Sequence, residues 1–218
     1  MAYLKRQSMP KTWPIPRKGN AYIIKPMAEL SKSIPLLIVL RDLLKVAQNR
    51  KETKRALHLK QILLNRKEVR DEKAALHLFD IISLVPMKKN YRVGLSKEGK
   101  FEIKEIKNEE SHKKIAKIID KKTLRGKKTQ LNLSDGRNFL SDIKCKVSDS
   151  VLINLNESKI EKCIPLKEGA RILIMAGKHI GESGVVKAMD EKKKMANVEN
   201  GDTKTIVNVL IKQLIAVE

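Results

Sequence analysis

The sequence predicts an α+β protein assembled from several small modules in series, and three observations carry that prediction. Prolines punctuate the first 32 residues, two helical patterns and a strand-turn-strand fill residues 33–89, and short strands between glycine turns fill the rest. The modules expected are a basic extended N-terminal arm over 1–32, a helix-helix-hairpin platform over 33–89, a central mostly-β domain over 90–168 and a small β-barrel over 169–218.

Composition bounds the partner. Lys and Arg number 47 against 25 acidic residues, a formal +22, and such a chain repels itself unless a polyanion neutralises it. Nucleic acid is the expected polyanion. A membrane surface asks for large apolar anchors, whereas aromatic residues make up 3% and Trp13 is the one tryptophan. The apolar run Ile34 to Leu40 contains Pro35 and falls short of the roughly 20 residues of a spanning helix. Lys5 and Arg6 precede no apolar stretch of a secretory signal, so a cytosolic protein is expected.

Cys145 and Cys163 form no CxxC, and His58, His77, His112 and His179 are scattered. No metal site and no cofactor are expected, and the thiols read as reduced. Charge is spread along the chain, at +6, +7, +7 and +2 over the four segments in order. That distribution suits a chain threaded among the phosphates of folded RNA better than a reader of one DNA groove.

In the arm, Pro10, Pro14, Pro16 and Pro26 disfavour helix, while Lys5, Arg6, Lys11, Arg17, Lys18 and Lys25 recur every few positions. Alone it is expected to be disordered, ordering on RNA with Trp13 stacked on a base or docked in a groove; the bland reading is a solvated tail.

In the platform, Leu36, Leu40, Leu43 and Ala47 mark one helix from about Pro35 to Gln48, with Arg41 among the candidate RNA contacts. A second helix follows Asn49, with Lys51, Lys54, Arg55 and His58 on one face and Leu57 and Leu59 toward the core. Ile62 to Arg70 reads as two short strands about a tight turn, with Arg66, Lys67 and Arg70 as candidate contacts, and Phe79 to Ile82 as a further strand. The alternative for the basic face is an ordinary solvated surface; phosphate contact is favoured because few acids fall at neutralising spacing.

Beyond it, Tyr91–Leu95 and Lys100–Ile106 read as a hairpin. A short helix is expected from Asn108, with Glu109 and Glu110 in its first turn and Ile115, Ile118 and Ile119 as its apolar stripe. Lys121, Lys122, Arg125, Lys127 and Lys128 then surround Gly126 in a loop suited to phosphates or simply to solvent. Gln130–Leu133, the turn Ser134-Asp135-Gly136, Asn138–Leu140 and Val151–Leu155 read as strands and a turn. Five strands are expected after Gly169, in a small closed barrel, with Lys178 and His179 at the tip of a glycine loop.

The stretch Ile62-Leu63-Leu64-Asn65-Arg66-Lys67-Glu68-Val69, closed by Asp80-Ile81-Ile82, resembles the S-four RNA-binding domain, although Arg66 stands where many members have Gly, leaving Asn65 to supply a positive φ. Gly177-Lys178-His179-Ile180-Gly181-Glu182-Ser183-Gly184-Val185-Val186 resembles the KOW motif, which implies a Src-homology-three-like barrel. With Leu4-Lys5-Arg6, Pro10-Lys11, Trp13, Ile34-Pro35-Leu36-Leu37, Leu40-Arg41-Asp42 and Leu131 to Asn138, the order of these modules resembles the S-four-e family of archaeal and eukaryotic small-subunit ribosomal proteins, closest to archaeal members. The resemblance implies a monomer that binds small-subunit ribosomal RNA beside neighbouring ribosomal proteins, in the cytoplasm, with no small-molecule substrate and no catalytic role. The rivals are an RNA-modifying enzyme, for which no catalytic constellation is found, and a KOW-containing transcription elongation or RNA-regulatory protein.

Overall fold

The computed structural model describes residues 3–125, 128–141, 143–190, 193–201 and 205–217, and it divides into two compact units. The first comprises residues up to 96 together with 100–112; the second comprises 97–99 and the residues from 113 on.

In the first unit β1 (Tyr3–Lys5) pairs antiparallel with β2 (Tyr22–Ile24), and β3 (Ile34–Pro35) leads directly into α1 (Leu36–Ile38). The residues between β1 and β2 do not form the free arm the prolines suggest. Met9, Trp13, Ile23 and Ile24 are buried in the core of the unit, where Trp13 is 2% exposed and its Nε1 donates to the Ser33 carbonyl at 2.9 Å. Burial of these four apolar groups, with Leu4, Ile15 and Leu30 packed against the same cluster, makes the segment part of the core of its unit.

The first helix is shorter than expected. It continues from α1 as a π-helical turn over Val39–Leu43 and stops there, because Lys45 takes a left-handed conformation (φ +53°) that no helix can extend. Residues 36–40 are buried on every side, so the stripe read as one face is a fully enclosed segment. Helix α2 (Arg50–His58) follows Asn49 as expected, with Glu52 in the first turn accepting from the backbone N–H of Gln48 and Asn49 at 2.7 and 3.5 Å. Leu59 lies past its end and is exposed, and packing is left to Thr53 and Leu57.

Strands β4 (Ile62–Leu64), β5 (Lys67–Glu68), β7 (Ile81–Leu84), β8 (Lys89–Leu95) and β9 (Phe101–Ile106) form a five-stranded antiparallel sheet in the order 5-4-7-8-9, and β6 (Ala75–Leu76) pairs with β3. This sheet runs across the expected boundary at 89/90, because the β8–β9 hairpin pairs with β7. The β4–β5 turn places both Asn65 and Arg66 at positive φ (+49° and +65°), so the two-residue turn uses Arg66 as well as Asn65. The expected strand at Phe79 begins two residues later, since Phe79 also has positive φ (+63°) and the Asp80 carboxylate is occupied by the Asn65 amide and the His77 N–H.

The second unit replaces the expected helix after Asn108. A 3-10 turn over Asn108–His112, in the first unit, precedes β10 (Lys113–Thr123), whose first half pairs with β13 (Ser150–Asn154) and second half with β11 (Thr129–Leu133). β-Branched isoleucines favour the pleated backbone, and burial of alternate residues Lys114, Ala116 and Ile118 places them on one face. With β12 (Asn138–Leu140) and β14 (Lys159–Ile164) the sheet order is 12-11-10-13-14. Finally β15 (Arg171–Ile174), β16 (Ser183–Asp190), β17 (Met195–Asn200), β18 (Ile206–Leu210) and β19 (Leu214–Ala216) make an antiparallel sheet ordered 18-17-16-15-19. Gly184 is demanded by packing there, since a Cβ would run into the Glu199 carbonyl.

Two lysines tie this unit together. Lys114, 1% exposed, pairs with Asp135 at 2.5 Å. Lys117, 4% exposed, donates from Nζ to the carbonyls of Ile211 and Leu214 at 2.5 and 2.6 Å, and Ser150 Oγ accepts from the Ala216 N–H at 2.9 Å. No helix among the described residues is long and apolar enough to cross a membrane.

Candidate nucleic-acid interface

The candidate interface is built on α2. Burial of Thr53 and Leu57 turns Lys51, Lys54, Arg55 and His58 outward, and all four are exposed. Arg50, at the start of the helix, pairs with Glu72, which is 3% exposed, and donates from Nη1 to the Tyr3 hydroxyl at 3.4 Å. Donation to the Glu72 carboxylate holds the Arg50 guanidinium pKa above its ordinary value, and the hydrogen bond received from Arg50 lowers that of the Tyr3 phenol. Lys54 Nζ stands 4.0 Å from the same Glu72 oxygen.

Between the helix and the loop after β5 lies an open cleft of about 280 Å³. Arg50, Lys54 and His58 line it from the helix, one turn apart; Arg70, Asp71, Glu72 and Lys73 line it from the loop. The loop is pinned from behind, where the Leu37, Leu36 and Met27 N–H groups donate to the carbonyls of Glu72, Ala74 and Lys73 at 3.1, 2.9 and 3.1 Å. The lining carries four cations, Arg50, Lys54, Arg70 and Lys73, against two carboxylates, a net positive charge that favours an anion. Among the described residues no cluster of His, Cys, Asp and Glu could hold a metal ion.

The other expected residues divide into solvent-facing and internally committed groups. Lys5, Lys11 and Lys18 are exposed. Arg6 folds back to donate to the carbonyls of Asn20 and Pro16 at 2.9 and 2.6 Å, and Arg17 donates to that of Met9 at 2.8 Å. Trp13 cannot stack on a base from the core position it occupies, and Arg41 is paired with Asp42 at 2.8 Å. Arg66 is also internal: its Nη2 meets Ser111 Oγ at 2.5 Å and His112 Nδ1 at 3.0 Å, and its Nε is buried with no acceptor. Lys67 and Arg70 face solvent, Arg70 at the cleft.

In the second unit Lys121 and Lys122 lie on β10 rather than in a loop, with Lys121 Nζ donating to the Cys145 carbonyl at 3.3 Å. Arg125 and Lys128 are exposed, and Lys127, like Gly126, lies outside the described residues. Lys178 is exposed in the loop between Gly177 and Gly181, which take φ of +99° and +90°, and His179 Nδ1 lies 3.2 Å from Glu182 Oε1.

Sequence reasoning grouped Lys51, Lys54, Arg55 and His58 and overlooked Arg50 and Lys73. The spacing 50, 54, 58 was the available signal for Arg50, since residues four apart share a helix stripe. Nothing local marks Lys73, which reaches the cleft through the path of the loop.

Comparison with known proteins gives this arrangement its relatives. A profile of Ribosomal family S4e matches residues 87–160. Small ribosomal subunit protein eS4 of Methanocella arvoryzae is 39% identical over 188 residues, covering 85% of this chain and 80% of that protein. The corresponding protein of Methanothermobacter thermautotrophicus is 33% identical over 214 residues, covering 95% and 88%. Among solved structures, the crystal structure of 30S ribosomal protein S4e from Thermoplasma acidophilum superposes with a TM-score of 0.73 at 25% identity, covering 85% of this chain and 95% of that one. The similarity to these relatives extends over most of both chains, and the chain therefore belongs to the S4e family of ribosomal proteins.

Proposed function

We propose that the chain is a structural constituent of the small ribosomal subunit that binds ribosomal RNA through its phosphates, works in the cytoplasm within the ribosome, and performs no catalysis. The observation that carries this reading is α2, whose packing is complete without Lys51, Lys54, Arg55 and His58, all of which it leaves facing solvent beside a cationic cleft. The curated relatives carry the name small ribosomal subunit protein, which favours this reading over a transcription factor.

Within it, the exposed Lys5, Lys11 and Lys18, the β10–β11 hairpin with Lys122, Arg125 and Lys128, and the glycine loop bearing Lys178 are further phosphate contacts. The sheet β15–β19 serves as a KOW-type barrel, and neighbouring small-subunit proteins cover part of the surface. The four segments 1–32, 33–89, 90–168 and 169–218 describe how positive charge is shared out along the RNA.

Two measurements test this. The chain should sediment in stoichiometric amount with salt-washed small subunits, and its affinity for small-subunit RNA should fall steeply with salt as counterions are released. Recovery with RNA polymerase instead, or affinity indifferent to salt, overturns the proposal.

A further inference from the structure

The cleft beside α2 holds a feature that phosphate binding does not use. Glu72 lines it, and both Arg50 nitrogens that bond to Glu72 reach the same oxygen, Oε1. The other oxygen, Oε2, is buried with no hydrogen-bond partner. Lys54 does not relieve it, since its Nζ is 4.0 Å from Oε1. A buried carboxylate oxygen without a donor is costly, so the site is completed by a ligand that brings one.

The rest of the cleft restricts what that ligand is. Lys54, Arg70 and Lys73 favour an anion, and the phosphodiester of a nucleic-acid backbone has no donor of its own for a carboxylate. The ligand must therefore carry a neutral O–H or N–H donor close to a phosphate, within a volume of about 280 Å³. A ribose 2′-hydroxyl beside its phosphodiester meets both conditions, and deoxyribose does not. Resting on the RNA-binding reading above, we infer that this cleft seats one ribonucleotide unit of the backbone, the phosphate on the cations and the 2′-hydroxyl donating to Glu72 Oε2. Oε2 is covered in this structure, so the seat forms when the Glu72 carboxylate turns to present that oxygen to the ligand, on a loop whose backbone is held through the carbonyls of Glu72, Lys73 and Ala74. The chain thereby distinguishes RNA from DNA without reading a base.

The test uses the full chain and a fragment of archaeal small-subunit ribosomal RNA that it retains, with single 2′-deoxy substitutions scanned along the fragment. One position should cost wild type about tenfold in affinity, the order of one hydrogen bond to a charged group. With Glu72→Ala, which frees Arg50, overall affinity should rise while the penalty at that position disappears. Circular dichroism and denaturant unfolding check the fold of the variant. Should the variant not fold, the wild-type scan still decides. Absence of any sensitive position overturns the inference, as does a penalty that persists in folded Glu72→Ala. Either result leaves RNA binding standing if the fragment still binds with a steep salt dependence, whereas no binding of any fragment refutes the functional reading itself.

Discussion

Lys117 shows how much one side chain can carry. Its ammonium lies inside the second unit, where burial lowers its pKa to about 8, and its two acceptors are carbonyls at Ile211 and Leu214. The unfolded chain holds this proton up to its ordinary pKa of 10.5, so between 8 and 10.5 it binds more protons than the folded chain does. Stability contributed by this group therefore increases with pH across that window, and the cost of a buried charge is fully present below it. Cys163 acts in the opposite sense, because burial, Cys145 and Asp149 push its thiol up to about 12, so the folded state keeps a proton that the unfolded state sheds above 9.0. Denaturant unfolding of wild type and Lys117→Met over pH 7 to 10 separates the two. The difference between the proteins should shift in favour of wild type as pH rises, and a pH-independent difference would place the charge in solvent. At a pH where the lysine is largely neutral, the variant should be less stable by about 2 kcal/mol, the order of two buried carbonyls left without a donor.

At the scale of elements, α2 allows charge to be separated from folding. Thr53 and Leu57 do the packing, and neither Lys51 nor Arg55 has an ion-pair partner among the described residues, so replacing Lys51, Lys54 and Arg55 with Gln should leave helix content and unfolding midpoint nearly unchanged. Affinity for small-subunit RNA should fall, with the slope of log affinity against log salt reduced by about one for each phosphate no longer neutralised. The weakening should be similar for unrelated RNA sequences. Equal slopes for variant and wild type would show a face that is only solvated. Strand β10 is the opposite case, an element whose type the sequence concealed. Ile115, Ile118 and Ile119 fit a helical stripe, and Lys114 and Lys117 look like its polar side. Both lysines are buried, one against Asp135 and one against backbone carbonyls from the far end of the unit, and those partners are not visible in any local window.

For the whole molecule, residues 1–32 decide how the first unit folds. Deleting them removes Met9, Trp13, Ile23 and Ile24 from the core, and loss of the indole alone costs about 3–5 kcal/mol. The truncated chain should lack a cooperative unfolding transition for this unit, in contrast to the folded remainder that a detachable arm would leave. Trp13 is the single tryptophan, so its emission reports the same point: it should be blue-shifted in the native chain and unmoved by RNA. Quenching on RNA addition would restore base stacking. The charge balance, the capped helix after Asn49, the Asn65 turn, the hairpin at 91–106 and the glycine-spaced strands after 169 were all readable in the sequence, because each depends on side chains within a few positions of one another. Which cations face solvent was not. Arg6 and Arg66 are committed to internal acceptors while Arg50 and Lys73 join the cleft, and those assignments depend on where distant carbonyls, hydroxyls and carboxylates come to rest. Composition by itself gave the chain its large positive charge and with it the expectation of a polyanion; only the tertiary structure decided which of those charges are committed to internal partners, because folding brings the committing carbonyls and carboxylates from far along the chain.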